Sequence, residues 1–350
     1  MKLDKIHYSF RSIDGFNKSF NAIISAREAG KSTMFWVEKA YKAFKKDEST
    51  TMAIRRYSVD ISKEYIDDIQ EILRKFVDEK ITFEYSSSSF KQGVVDIYLN
   101  EKRFIRIISL SIPASRFKSM VLRNLKYIVF DEFICNVNNG ERYLKNEANK
   151  FKELFNTFQR ESKNLKCYLL GNPYSLYNPY FSWFGVDFNN IKKGKIYVGN
   201  NFAIDYYLLK EELKEKILKK NPLYKFEDDE YMSYALDGVN INDININVIK
   251  DVPLNYVKKF TLFVENNYLC VYKRKSFDDK FKYYIKKENS ISKKENVICQ
   301  QTNEMRSNFL LLNQNVRLKL IDLKLSFEEN NIAYDSIECY YLFEEFYKKM

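Results

Sequence analysis

The stretch Asn21-Ala22-Ile23-Ile24-Ser25-Ala26-Arg27-Glu28-Ala29-Gly30-Lys31-Ser32-Thr33 constrains this chain more than any other. A short apolar run leads into a small-residue turn ending in Gly30-Lys31-Ser32, and a helix-forming segment follows. Strand, loop and helix in that order bring backbone N–H groups and one lysine around the phosphates of a nucleoside triphosphate. The phosphate-loop pattern asks for glycine at its first position, where this chain has Ser25. Glycine there turns tightly with positive φ, which serine tolerates less well. The plain alternative is a strand-to-helix loop with an exposed lysine.

A second element, about 100 residues on, decides between them. Tyr127-Ile128-Val129-Phe130 is β-branched and aromatic and ends in Asp131-Glu132. One carboxylate at such a strand end can hold the water shell of Mg²⁺, and the next can polarise an attacking water. The pair of segments predicts a nucleoside triphosphate hydrolase. Residues Ser25, Ala26, Arg27, Glu28, Ala29, Gly30, Lys31, Ser32 and Thr33 form the expected nucleotide loop. Lys31 is assigned to the β- and γ-phosphates, and Ser32 to Mg²⁺, with Asp131 holding the metal through water. Glu132 is the expected base for the hydrolytic water. Arg27, inside the loop, is placed to neutralise nucleotide charge. Asn172, at the tip of the next strand, is placed to sense the γ-phosphate.

Composition narrows the class. With 58 Lys and Arg against 47 Asp and Glu, the net charge is +11. That excess points to a polyanionic partner such as nucleic acid, although AT-rich coding would also raise lysine. Five scattered cysteines show no CxxC spacing, which argues against a disulfide framework or a zinc site and for a reducing compartment. A single histidine, His7, removes most histidine-based catalysis. No stretch approaches 18 consecutive apolar residues, and the N-terminus carries no signal-peptide pattern. A soluble, cytosolic protein without a membrane partner is therefore expected.

Periodicity supplies the organisation. Strands are predicted at 20–24, 51–57, 127–130 and 166–170, helices at 31–45, 59–76 and 146–160, and a β-rich insertion at 81–110. Strands alternating with helices imply an α/β fold with a mainly parallel sheet, helices on both faces and ligands at the carboxyl ends of the strands. Lys31, Arg56, Asp131, Glu132 and Asn172 all fall at or just past such ends. The expected division is an ATPase domain at 1–205, a linker domain at 206–250 and an α+β domain at 251–350. In the last, strands are predicted at 260–273 and 281–285 and helices near 303–324 and 335–349.

Several segments together carry a family resemblance. They are Arg27 in the loop, Val129-Phe130-Asp131-Glu132-Phe133, Gly171-Asn172-Pro173-Tyr174 with Asn178-Pro179-Tyr180-Phe181, the strand end Arg55-Arg56-Tyr57, and the run from Ser326-Phe327 to Met350. The chain resembles the genome-packaging (encapsidation) ATPases of small protein-primed tailed podoviruses, which are terminase-like P-loop motors. The resemblance is dense over 20–182 and thin over 205–320. It implies a P-loop ATPase domain of the additional-strand class, joined by a linker to an RNase-H-like domain that has lost its nuclease acids. It also implies a homopentameric ring in the host cytoplasm, docked transiently on the portal of a procapsid and driving double-stranded DNA. A structural RNA is a further partner it raises. Carried over by position, Arg160 in Phe158-Gln159-Arg160 matches a trans-acting arginine finger, and Lys118 a lysine acting across the subunit interface. The departures are Ser25 and Ser58, the latter standing where the family has lysine.

The C-terminal residues agree with a nuclease-like domain that does not cut. A two-metal nuclease needs several carboxylates on adjacent strands, and only Glu265 with Asp278-Asp279 stand out. The competing readings are a P-loop DNA helicase of replication and a non-catalytic nucleic-acid-binding scaffold. Lys31-Ser32 and Asp131-Glu132, intact together, weigh against the scaffold.

Overall fold

Eight runs of β-branched and aromatic residues in the first 207 positions pair as one sheet. They are β1 (Phe20–Ser25), β2 (Thr50–Arg55), β3 (Val94–Leu99), β4 (Lys102–Ser109), β5 (Leu125–Asp131), β6 (Lys166–Gly171), β7 (Ile196–Val198) and β8 (Phe202–Tyr207). The computed structural model describes all residues except 1–6, 119, 121, 161, 163, 187, 228, 241, 242, 244, 245, 277–279, 293 and 294. Its strand order is β3-β4-β2-β5-β6-β1-β8-β7. The six strands from β4 to β8 are parallel, and the outer strands β3 and β7 are antiparallel to their neighbours. β6 lies between β1, which leads into the phosphate loop, and β5, which ends in the carboxylates. That interposed strand is the additional-strand arrangement.

Burial on both faces explains the apolar runs. Ile23, Ala53, Val129, Tyr168 and Leu170 point to one layer, and Ala22, Ile24, Met52, Ile54, Ile128, Phe130 and Leu169 to the other. Helix Lys63–Phe76 closes the first face with Ile66, Ile69 and Leu73. Helix Glu147–Gln159 closes the second with Phe151, Leu154, Phe155 and Phe158.

Several boundaries differ from expectation for local reasons. The second helix starts at Lys63 and not at 59, because the Ser62 side chain caps it by accepting from Tyr65 N at 3.3 Å. Residues 58–60 form a short 3₁₀ turn instead. Helix 31–45 runs from Lys31 to Asp47, and Phe35–Tyr41 in its middle is wound wider as a π-helix. Within 81–110 the hairpin β3–β4 closes through Asn100 and Glu101, both at positive φ (52° and 62°). Two left-handed residues match the right-handed twist of the flanking strands.

The chain separates into two compact units, Met1–Asn242 and Asp243–Met350. Residues 206–242, expected to begin a linker domain, pack within the first unit. Leu213 and Ile217 of helix Glu211–Lys220, and Tyr234, Ala235 and Leu236 of helix Asp229–Asp237, join the same buried layer as β1.

The second unit holds a six-stranded sheet made of β9 (Tyr256–Val264), β10 (Asn267–Arg274), β11 (Tyr283–Glu288), β12 (Val297–Cys299), β13 (Phe309–Leu311) and β14 (Ile332–Tyr334). The order is β13-β12-β9-β10-β11-β14. An antiparallel meander β9-β10-β11 is extended from β9 by the parallel strands β12 and β13. Expected as one strand, 260–273 is a hairpin turning at Glu265 and Asn266, at φ 47° and 65°. Helix Gln314–Glu328 begins later than the predicted 303 because Asn313 caps it, accepting from Val316 N at 3.0 Å. With helix Ile337–Tyr347 it covers one face through Leu320, Leu323, Leu342, Phe343 and Phe346.

Candidate nucleotide site

The loop after β1 is built around two left-handed residues, Glu28 (φ 60°) and Gly30 (φ 77°). Ser25 is not among the positive-φ positions, so the missing first glycine costs the turn nothing. Ser25 is fully buried as the last residue of β1, and its hydroxyl serves the lysine. A Cβ on Gly30 would meet His7 at 2.9 Å, and Tyr8 N donates to Ala29 O at 2.9 Å. The N-terminal segment therefore braces the loop from behind.

Lys31 opens the following helix and is buried. Its Nζ donates to Ser25 Oγ (2.9 Å), Ser25 O (3.1 Å), Ala26 O (3.4 Å) and Asn172 Oδ1 (3.1 Å). Burial lowers the ammonium pKa to about 8, against the pull of Asp131 and Glu132, and Arg27 lowers it further. A buried cation with neutral partners and left-handed glycine beside it fits a phosphate, whose charge would favour the protonated lysine. Lys31→Ala is expected to weaken ATP binding roughly 10- to 100-fold, the loss that follows from hydrogen bonds to a charged group. Equilibrium titration with a fluorescent ATP analogue reads it, and unchanged affinity would place the phosphates elsewhere.

Ser32 and Asp131 come together from the helix start and the β5 end, the hydroxyl close enough to act on the carboxylate. Burial raises the Asp131 pKa. The Ser32 hydroxyl opposes that, Glu132 adds to it, and Lys31 and Arg55 pull it back. A divalent cation at this hydroxyl and carboxylate would favour the ionised form, so the pair fits Mg²⁺.

Glu132 directly follows β5 at φ 59°. Its N–H donates to Asp131 Oδ1 at 3.1 Å, and its mostly exposed carboxylate lies 3.3 Å from Arg55 Nη2. The Arg55 guanidinium sits over the Tyr65 ring at 4.7 Å. Asn172 reaches the site because Gly171 lets β6 pass close to the segment after β5, where a Cβ would come within 2.8 Å of Phe133.

The remaining expected residues are distributed differently. Arg27 is exposed on the loop, and Tyr174, Tyr231 and Tyr234 gather around it. Burial works against its charge, but these tyrosines outweigh that and raise its pKa. Ala26 and Ala29 are buried spacers, Glu28 is exposed, and Thr33 is half-buried on the helix. Arg160 lies exposed just past helix Glu147–Gln159. Lys118 ends the short helix Ala114–Lys118. Asp278 and Asp279 lie outside the described residues. Glu265 sits in the β9–β10 turn, where burial and Glu345 raise its pKa. Among the described residues no three His, Cys, Asp or Glu side chains converge on a metal-sized site.

The sequence reading missed Glu147. It marked the strand end Arg55-Arg56-Tyr57 without assigning a contact, yet Arg56 is buried against Glu147 beside the Glu132 turn. Doubled arginine at a strand end was the only available signal. Glu147 reads as an ordinary first-turn acid of a helix.

The family described as Podovirus DNA encapsidation protein (Gp16) matches residues 3–350. The DNA packaging proteins of Bacillus phages PZA and phi29 are each 28% identical over 187 residues, which cover 53% of this chain and 52% of theirs. The chain thus spans about half the length of those curated relatives. A solved chain of the bacteriophage Phi-29 viral genome packaging motor assembly superposes with a TM-score of 0.70 at 22% identity, covering 99% of both chains. Among the described residues no helix is long and apolar enough to cross a membrane.

Proposed function

Because this chain belongs to the podovirus DNA encapsidation protein family, we propose that it is an ATP-driven motor packaging double-stranded DNA into a procapsid. The observation that carries the reading is the convergence of Lys31, Ser32, Asp131, Glu132 and Asn172 at the carboxyl ends of β1, β5 and β6. Loop N–H groups and Lys31 hold the phosphates, leaving Lys31 to exchange its loop oxygens for phosphate oxygens. Mg²⁺ would be held by Ser32 and, through water, by Asp131, and would supply positive charge against the phosphates. Glu132 orients the water and takes its proton, while Asn172 and Lys31 register the γ-phosphate. Arg27 leaves its tyrosine neighbours to face the nucleotide.

The protein works as a homomeric ring, a pentamer by family analogy, in the host cytoplasm on the portal of the procapsid. A structural RNA is a candidate third partner. Arg160 and Lys118 act across the subunit interface. The second unit binds DNA or portal without cutting, since among its described residues no set of carboxylates gathers on a metal-sized site. The test is ATP-dependent protection of double-stranded DNA from nuclease when purified procapsids are mixed with this protein. DNA that stays digestible with ATP and all partners present would reject the motor.

Duplex binding is expected to be electrostatic, without a consensus site, and to weaken at least roughly 10-fold between 50 and 200 mM salt. The +11 charge motivates this. Fluorescence anisotropy with duplexes of unrelated sequence measures it, and a flat salt response or a sharp sequence preference would count against translocation.

A further inference from the structure

Arg56 follows the last residue of β2 and is buried between the rings of Phe130 and Tyr143, 5.3 Å from each. Its Nε donates to both oxygens of Glu147, at 3.1 and 3.0 Å. Its Nη1 donates to the backbone oxygen of Glu132 at 3.1 Å, and its Nη2 to that of Phe133 at 2.8 Å. Glu147 has no exposed side-chain surface and accepts two more bonds, from Tyr180 Oη at 2.6 Å and Leu144 N at 2.7 Å. The pair is thus satisfied on every side, the condition under which buried charges are tolerated.

The two carbonyls it holds are consecutive and flank the Cα of Phe133, next to the residue whose side chain must meet the water. Glu132 is left-handed, which a non-glycine residue keeps only where its surroundings over-determine it. Arg55 reaches the Glu132 carboxylate itself. The neighbouring Arg56 touches none of the groups assigned to nucleotide or metal; at the Glu132 turn it meets the backbone that aims the carboxylate. We propose that the Arg56–Glu147 pair is the positioning device of the catalytic carboxylate, fixing the turn that presents Glu132. This rests on the reading of Glu132 as the base. A planar guanidinium serves two carbonyls and a carboxylate at once, which an ammonium cannot.

The test compares the full chain with Arg56→Lys, Glu147→Gln, Glu132→Gln and Arg56→Lys/Glu132→Gln, with procapsids and duplex DNA present. ATP affinity, single-turnover hydrolysis and thermal melting are measured for each. Arg56→Lys is expected to slow hydrolysis roughly 10- to 100-fold, as a displaced catalytic group does, with ATP affinity unchanged. Glu147→Gln keeps the shape and one of the two acceptor oxygens, an amide nitrogen replacing the other; it should give a loss of the same kind, and it carries the test if Arg56→Lys does not fold. In the Glu132→Gln background Arg56→Lys should cost nothing further, since there is no base left to aim. A merely structural role would lower melting and affinity and slow the double variant below Glu132→Gln alone. That additive result, or wild-type hydrolysis in both Arg56→Lys and Glu147→Gln, overturns the proposal while the base assignment stands. Wild-type hydrolysis in Glu132→Gln overturns the base assignment and the proposal together.

Discussion

Glu132→Gln is expected to bind ATP as the unchanged chain does and to hydrolyse it roughly 10²–10⁴-fold more slowly, the range lost with a positioned general base. Glutamine has the same shape, and its carbonyl oxygen can still accept from Arg55 Nη2, which stands 3.3 Å from the glutamate oxygen. The backbone bonds of the turn, from Glu132 N to Asp131 Oδ1 and from Arg56 Nη1 to Glu132 O, do not involve the substituted atoms. Only the capacity to take a proton is removed. Lys31, Ser32 and Asp131 remain, so the affinity should too. Rapid-quench hydrolysis beside equilibrium binding separates the two effects. Hydrolysis at the unchanged rate would move the base elsewhere. A loss of affinity as large as the loss of rate would mean that Glu132 serves the ground state and not the reaction.

The reason this much could be read in advance is specific. Strands buried on both faces have to be written as continuous apolar runs, and Ala22-Ile23-Ile24 and Ile128-Val129-Phe130 are such runs. Each ends abruptly in residues of the candidate site, because parallel strands deliver their carboxyl ends to one edge. Asn172 was legible for the same reason, sitting directly after Lys166–Gly171. Ser25 was read as a defect because the pattern was taken to need a positive φ there. The backbone places its left-handed residues at 28 and 30 instead and uses the serine hydroxyl as a partner for Lys31.

What the sequence hid has equally physical causes. Arg56 and Glu147 are 91 residues apart, and nothing local marks either as buried. Only the topology, with β2 beside β5 and the helix after β5 folding back, brings them together. The turns Asn100-Glu101 and Glu265-Asn266 contain no glycine or proline, so each hairpin was read as less sharply divided than it is. The helix at 211–220 is charged on its outer face, and its few inward residues, like those of the short helix at 229–237, gave too little periodicity to show that both join the first unit.

Arg160 decides whether the site is complete within one chain. Helix Glu147–Gln159 is tied at its first residue to Arg56, and so to the Glu132 turn, and Arg160 stands exposed past its other end. The helix spans about 20 Å at 1.5 Å per residue. A guanidinium carried so far from Glu147 suits a neighbour's γ-phosphate better than its own. There it would stabilise charge that develops during transfer, a contribution of about 10³–10⁵ in rate in related NTPases. Arg160→Ala should therefore bind ATP normally and lose hydrolysis by about that factor. Mixed with Glu132→Gln protomers, it should recover part of the lost activity. At one class of mixed interface an intact Glu132 then faces an intact Arg160, so each variant supplies what the other lacks. Activity plotted against mixing ratio should rise from two inactive ends to a maximum between them. Two variants that co-assemble and stay inactive at every ratio would exclude a finger acting in trans. An Arg160→Ala ring as active as the unchanged one would leave the residue as a solvent-facing arginine at the end of a helix.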